Sequence, residues 1–396
     1  MSVPKLRFKE FDGDWANKKI DEIAVVTSGG TPSRNISKYW NGHIPWVTTS
    51  LVDFNIINNA EEFITQDGVD NSSAKLFPKN TILMAMYGQG ITRGKVAILG
   101  IDATTNQACA AIKLKDDIDT HFAFQNLMNR YEEIRDLSNE GGQKNLSAGI
   151  IKDISISYPS KPEQTKIASF LSAVDEKISQ LTQKHELLSQ YKQGMMQKFF
   201  SQQIRFKADD GSDFGEWEVQ KLGEISKTFS GGTPQSSNKS FYEGSIPFIK
   251  SGEISQDITE QYINEIALQK SSAKLVNKGD LLYALYGATS GQVAISQIDG
   301  AINQAVLCIR SILNTQYLLN FFLLKKEEIL STYLQGGQGN LSAAILKEIY
   351  IPTPCLEEQT KIANFLSAID QKIEVVAQQI EHAKQWKKGL LQQMFV

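Results

Sequence analysis

The stretch "GQGITRGKV" (88–96) offers glycines that could admit a phosphate and a lysine to meet its charge. The spacing does not fit a P-loop. Gln89 stands where the first glycine is needed, and Val96 stands where Ser or Thr should follow Lys95. Asp175-Glu176-Lys177 has the carboxylates of a nuclease centre, yet on a helix it reads as a solvated charged face. His43, His121, His185 and His382 lack metal-ligand spacing. Cys109, Cys308 and Cys355 form no Cys-x-x-Cys, which fits a reducing cytoplasm and argues against a zinc ribbon or a disulfide framework. No Asn-Pro dipeptide occurs, so the Asn-Pro-Pro-aromatic motif of amino-methyltransferases is missing. The glycines of "FSGGTP" (229–234) read as a turn rather than a cofactor loop. These residues describe a binder rather than a catalyst, with no catalytic residue, metal or cofactor of its own.

The chemistry-poor letters recur. "SGGTP" stands at Ser28–Pro32 and again at Ser230–Pro234, a shift of 230 − 28 = 202. "YWNGHIPW" (39–46) matches "FYEGSIPF" (241–248) at the same shift. "SSAKL" recurs at Ser72 and Ser271 (271 − 72 = 199), and "NQA" at Asn106 and Asn303 (303 − 106 = 197). "GGQKNLSA" (141–148) matches "GGQGNLSA" (336–343), and "EQTKIASFLSAVDEKI" (163–178) matches "EQTKIANFLSAIDQKI" (358–373), both at 358 − 163 = 195. Such a period is far above that of a solenoid and marks a tandem duplication of a domain plus a helix. The falling shift places length changes between 50 and 72, in 88–94 against 287–291, and in 113–131.

Within each copy, "TILMAMY" (81–87) and "LLYALY" (281–286) read as buried strands ending at glycine, with "KVAIL" and "QVAIS" as return strands. A hairpin with a polar tip is expected in each copy. Thr120 and Thr315 are the expected N-caps of the following helices. After each unit comes a long heptad pattern: Ile167, Leu171, Val174, Ile178, Leu181, Leu188, Met195 and Phe199 in one, and Ile362, Leu366, Ile369, Ile373, Val376, Ile380, Ala383, Leu390 and Met394 in the other. His185, Lys192 and Lys387 interrupt it. Two such helices in one chain are expected to pair antiparallel. The fold class is α/β (α+β): two pseudo-symmetric mixed units, each followed by a long helix, with the helices forming an antiparallel coiled coil.

Composition bounds the partners. Of 396 residues, 41% are hydrophobic, enough to fill real cores. No apolar run reaches the roughly 18 residues of a membrane span, and the N-terminus has no signal-peptide core, so a cytoplasmic protein without membrane partner is expected. Net charge is 41 − 44 = −3, which disfavours a stand-alone nucleic-acid binder but leaves room for a local basic face.

The paired motifs "SGGTP", "G-x-IP-[WF]", "GGQ-x-NLSA" and "EQTKIA-x-FLSA-[VI]-D-x-KI" together resemble the specificity subunit of type I restriction–modification systems, over essentially the whole chain. The resemblance implies target recognition domains at 1–160 and 203–355, a central helix at 161–202 and a C-terminal helix at 356–396. Each domain would read one half of an asymmetric, bipartite double-stranded DNA site. The helices would space the domains and dock two methyltransferase subunits. Those partners would carry S-adenosylmethionine, and restriction/translocase subunits would bring ATP and magnesium. Two rivals are a two-headed coiled-coil scaffold that binds only proteins and a fused methyltransferase remnant with its own activity.

Differences between the copies point to specificity. After "IP-[WF]" come Thr48, Thr49 and Ser50 in one copy and Lys250, Ser251 and Glu253 in the other. The hairpin tips offer Gln89, Thr92, Arg93 and Lys95 against Thr289, Ser290 and Gln292. Arg can read guanine, Gln adenine and Glu cytosine. Tyr87 and Tyr286 stand at strand ends, placed either to stack near the tips or to pack. Asn106-Gln107, Asn303-Gln304, Gln143, Asn145, Gln338 and Asn340 occur in both copies and suit shared backbone contacts or loop bracing. Lys166 and Lys361 read as solvated helix faces. "SGGTP" itself reads as structural, since both copies keep it.

Overall fold

The computed structural model describes residues 3–88, 91–137, 145–333 and 341–396. They form two compact units, 1–182 with 378–396 and 183–377. The boundary therefore cuts both long helices, Lys161–Phe200 and Leu356–Met394, so that each unit holds part of each.

In unit 1 the central sheet is antiparallel except for one added edge, in the order Ala24–Ser28, Cys109–Leu114, Ile82–Ala85, Val96–Leu99, Ile56–Ile57. In unit 2 the order is Ser226–Ser230, Val306–Ser311, Leu281–Ala284, Val293–Ile295. The strand Ile56–Ile57, parallel to Val96–Leu99, falls in the stretch where the first copy is three residues longer. A smaller mixed sheet lies against each: Glu62–Ile64, Trp40–Val47, Ala103–Thr105 and Leu76–Phe77 in unit 1; Tyr262–Ile263, Ile246–Ile249, Gly300–Ile302 and Lys274–Val276 in unit 2.

The central strands read as unbroken apolar runs because both faces are covered. Ile82 and Met84 face Phe122, Leu127, Ile167 and Leu171, while Leu83 and Ala85 face Val47, Phe77 and Ala103. In unit 2, Leu281 and Tyr283 face Phe322, Ile362 and Leu366, while Leu282 and Ala284 face Ile249 and Ile302. Each unit is thus three layers deep: helices, central sheet, small sheet.

The repeated letters meet each other. Gly29 lies against the Thr105 carbonyl and Gly231 against that of Ile302, so a Cβ on either would overlap backbone. Gly30 and Gly232 press on Ser73 and Ser272 of the "SSAKL" copies. Thr31 donates to Gln107 at 2.5 Å and Thr233 to Gln304 at 2.6 Å, tying "SGGTP" to "NQA" in both units. Asn106 and Asn303 each accept from the amide two residues on. Bracing is the role the geometry gives these residues.

The helix caps differ from the expectation. Asp119 caps Thr120–Asn129 through the Phe122 amide, and Asn314 caps Thr315–Tyr333 through the Gln316 and Tyr317 amides. The carboxylate and amide one residue earlier outcompete the threonine hydroxyls, which become the first helical residues. The first copy's helix also breaks at Arg130 into Thr120–Asn129 and Tyr131–Asp136, while the second runs unbroken.

Each unit closes on an antiparallel pair of helix segments. Two interruptions of the seam become ion pairs across it: Lys387–Asp175 at 2.6 Å in unit 1 and Lys192–Asp370 at 2.6 Å in unit 2. They are equivalent, since 387 − 192 = 370 − 175 = 195. Asp175 also accepts from Gln125, so it belongs to the packing, while Glu176 and Lys177 are exposed as a solvated face.

Candidate nucleic-acid interface

A run of backbone hydrogen bonds gathers four separated motifs at one end of the unit 1 sheets. The Asn106 amide donates to the Val47 carbonyl at 3.0 Å, Met86 to Ala108 at 2.8 Å, and Leu146 to Met86 at 2.9 Å. The chain ends of "IPW", "NQA", the hairpin strand and "NLSA" are therefore neighbours. Unit 2 repeats this with Leu285 donating to Ala305 at 2.8 Å and Leu341 to Leu285 at 3.1 Å, beside the parallel pair Ile249 and Ile302. Leu146 and Leu341 are buried, and Ser147 and Ser342 cap the next short helices, which anchors the motif.

On this rim, Tyr87 is 42% exposed. Ser50 is exposed, with its hydroxyl 2.6 Å from that of Thr48. Thr48, Thr49, Thr92 and Asn145 are half-buried. In unit 2, Gln292 is exposed, Lys250, Ser251, Thr289 and Ser290 are half-buried, and Tyr286 packs on the helical core. The Ser290 hydroxyl donates to the Leu285 carbonyl at 3.1 Å, and the Lys250 ammonium stands 3.8 Å from Glu260. Gln89, Gln143, Gln338 and Asn340 lie outside the described residues.

Three charged candidates face inward instead. Glu253 is buried, and its carboxylate accepts from the amides of Lys250 at 3.0 Å and Glu260 at 2.9 Å. Both of its oxygens are engaged in bracing its own loop. The Lys95 ammonium bonds Asp53 at 2.5 Å with only 14% of the side chain exposed. The Arg93 guanidinium donates to the Arg135 carbonyl at 3.0 Å. Tyr131 adds a hydroxyl bond to the Ile91 carbonyl and an edge-on contact with Phe54. The unit 1 tip thus packs on the helix Tyr131–Asp136 through Arg93 and Tyr131, while Lys95 is paired with Asp53.

Burial pushes the Cys109 and Cys308 thiols up to about 12, far from a thiolate nucleophile at neutral pH. Among the described residues no group of His, Cys, Asp and Glu could hold a metal ion, and no helix is long and apolar enough to cross a membrane.

One repeat escaped sequence reasoning. Arg7-Phe8-Lys9 and Arg205-Phe206-Lys207 recur at a shift of 205 − 7 = 198, with Trp15 and Trp217 behind them. Arg7 grips Glu163 through two bonds of 2.7 Å, and Arg205 grips Glu358 at 3.1 and 2.8 Å, where Trp217 adds a third at 2.8 Å. Gln164 and Gln359 bond the amides of Asp119 and Asn314 at the heads of the domain helices, each at 2.8 Å. "EQ" in "EQTKIA" is therefore the joint between helix and domain. Lys166 pairs with Glu10, and Lys361 with Asp209 at 2.6 Å, on the helix surface.

Two three-layer units with a shared frame, differing polar rims and an antiparallel helix pair define a duplicated α/β recognition fold. The chain belongs to the family of the type I restriction modification DNA specificity domain, whose model matches it twice, over residues 12–190 and 215–385. It is 28% identical over 412 residues to the MjaIX specificity subunit of Methanocaldococcus jannaschii, covering 97% of this chain and 94% of that one. Against the EcoR124I/EcoR124II specificity subunit of Escherichia coli it is 28% identical over 182 residues, 45% of each chain. Its fold is similar to that of the type I S subunit from M. genitalium, with a TM-score of 0.64 at 18% identity over 100% of this chain and 99% of that one.

Proposed function

We propose that the chain is the non-catalytic, sequence-reading subunit of a type I restriction–modification complex, each unit meeting one half of a bipartite DNA site. The observation that carries this reading is the pairing of one frame with two different rims. "SGGTP", "NQA" and "EQTKIA" make the same bonds in both units, while Thr48–Ser50 and Lys250–Glu253 differ in chemistry. A shared frame gives each unit the same pose on DNA, and different side chains select different bases.

On this reading 1–160 and 203–355 are the recognition domains, and the helices at 161–202 and 356–396 are spacer and docking surface. The partners are two methyltransferase subunits carrying S-adenosylmethionine and the restriction/translocase subunits carrying ATP and magnesium. The work takes place in the cytoplasm, where the DNA lies. The rim readers are Tyr87, Thr48, Thr49, Ser50, Thr92 and Asn145 in one unit, and Lys250, Ser251, Thr289, Ser290, Gln292 and Tyr286 in the other.

The test is methylome mapping of cells carrying the chain with its partners, beside a variant with four residues inserted after Leu181. Four residues add about 6 Å of helix, and DNA rises about 3.4 Å per base pair, so the gap between half-sites should widen by roughly one to two base pairs. An active variant with an unchanged gap removes the spacer role. Methyl transfer by the purified chain alone would overturn the non-catalytic assignment.

A further inference from the structure

The chain is acidic overall, yet one cavity of unit 1 is ringed by lysines. About 400 Å³ in volume, it is lined by Lys79, Lys113, Lys115 and Lys161 together with His121, Asn80 and two threonines. Two carboxylates oppose them, Asp116 and Asp119. Asp119 is already committed, accepting from the Phe122 amide and the Thr165 hydroxyl. Lys115 reaches the Glu22 carbonyl at 2.6 Å. Lys79, Lys113 and Lys161 have no salt-bridge partner among the described residues. The first turns of Thr120–Asn129 and Lys161–Phe200 open onto the same space and add the positive ends of two helices.

The set of four lysines belongs to one copy only. Leu114 and Ser311 correspond at 311 − 114 = 197, and Thr120 and Thr315 at 315 − 120 = 195, so the two-residue length step lies in 115–119 against 312–314. That extra length builds the cavity wall. In the second copy Lys79, Lys113 and Lys161 correspond to Lys278, Arg310 and Leu356, and the shorter stretch 312–314 holds no lysine. Arg310 there is held by Asp280 through bonds of 3.0 and 2.6 Å. The second copy thus keeps two of the four cations, one of them committed to a carboxylate, and lacks the other two.

The cavity is also remote from the rim. From Thr81 beside it the chain runs through strand Ile82–Ala85 to Tyr87, six residues on, roughly 20 Å if extended throughout. A ligand held here is therefore separate from base readout at the rim. Lysine ammonium groups are compact, strongly hydrated charges that suit phosphate oxygens and carry no base code.

We propose that this cavity binds a phosphate group. Two sources share that chemistry: the backbone of DNA beyond the half-site, or a free polyphosphate such as a nucleoside triphosphate. The DNA source rests on the function proposed above; the free source does not.

The test compares the wild-type chain with the double variant Lys79→Ala/Lys113→Ala and the charge-keeping Lys79→Arg/Lys113→Arg. Thermal unfolding of each checks that the fold is kept. In the assembled complex, binding to target and random DNA is titrated over a salt series. For a backbone phosphate, the alanine variant should lose roughly tenfold on both DNAs, its log K against log salt slope should fall by about 1–2, and the arginine variant should restore both. The methylated sequence should not change. For the free source, pyrophosphate and ATP are titrated calorimetrically into the full chain. One equivalent should bind wild type and not the alanine variant, with the DNA slopes equal. Equal slopes with no pyrophosphate or ATP bound, or with binding that the alanine variant keeps, overturn the proposal. If wild type fails to prefer target over random DNA, the recognition reading falls, while the salt slope and the pyrophosphate titration still decide the cavity.

Discussion

The two hairpin tips start from the same strands and end differently. In unit 1, Arg93 bonds the Arg135 carbonyl, Lys95 bonds Asp53, and Tyr131 bonds the Ile91 carbonyl, so the tip is strapped to its surroundings. In unit 2, the corresponding Ser290 turns back onto its own strand and Gln292 stays exposed. The strands beneath are alike, with Gly94 bonding the Ala85 carbonyl and Gly291 that of Ala284, each at 2.9 Å. A duplicated frame can therefore hold one charged tip as structure and leave the other polar tip open. A charge on a loop says nothing of its target until its neighbours are known.

The joint between helix and domain should give the largest effect. Glu358→Ala takes the carboxylate from Arg205 and the Trp217 indole, and Glu163→Ala takes it from Arg7, leaving each guanidinium only backbone carbonyls, at an expected cost of about 3 kcal/mol of unfolding free energy each. Hydrogen exchange should localise each loss to its own unit. A loss spread evenly over both would break the picture of two separately braced units.

Next in size is the packing of "SGGTP". Gly29→Ala and Gly231→Ala place a methyl group into backbone carbonyls, at about 1–3 kcal/mol each by denaturant midpoint. A similar cost in both units would sharpen the claim that the pentapeptide is frame. If either is neutral while the methylated sequence changes, the motif belongs to readout.

Grafting "KSGE" (250–253) over Thr48–Leu51 acts on specificity rather than stability. The first half-site should change and the second stay, with about 1–3 kcal/mol of discrimination per altered base. Methylome mapping decides it, and two altered half-sites would show that the units do not read separately. The smallest effect is expected from Arg93→Ala. It removes the bond to the Arg135 carbonyl, about 1 kcal/mol of local stability, and leaves the recognised bases as they were. A changed base at one position would restore Arg93 as a reader and erase the contrast between the tips.

Much of the frame was legible in the residues. The duplication follows from motifs repeated 195–202 residues apart, the buried strands from unbroken apolar runs ending at glycine, and the seam from the spacing of three and four residues that helix geometry imposes. The lysines interrupting the seam were visible as breaks, but not their partners. Lys192 and Asp370 are 178 residues apart, and only the antiparallel pairing brings them to 2.6 Å. Arg7 and Arg205 were hidden for the same reason: a short repeat of three letters has little weight until Glu163 and Glu358 are seen in its grip.

By itself, the sequence determined that one domain and one helix occur twice, that the letters carry no catalytic motif, and which loops differ in length. Those are statements about order along the chain. Only the tertiary structure decided which polar side chains meet solvent. Glu253 and Lys95 read as exposed from their neighbours in sequence, and backbone amides and Asp53 draw them inward. The same folding set four lysines from three separate segments around one cavity in an acidic chain. Desolvation and hydrogen bonding depend on what lies within a few ångströms, and that neighbourhood exists only once the segments have packed.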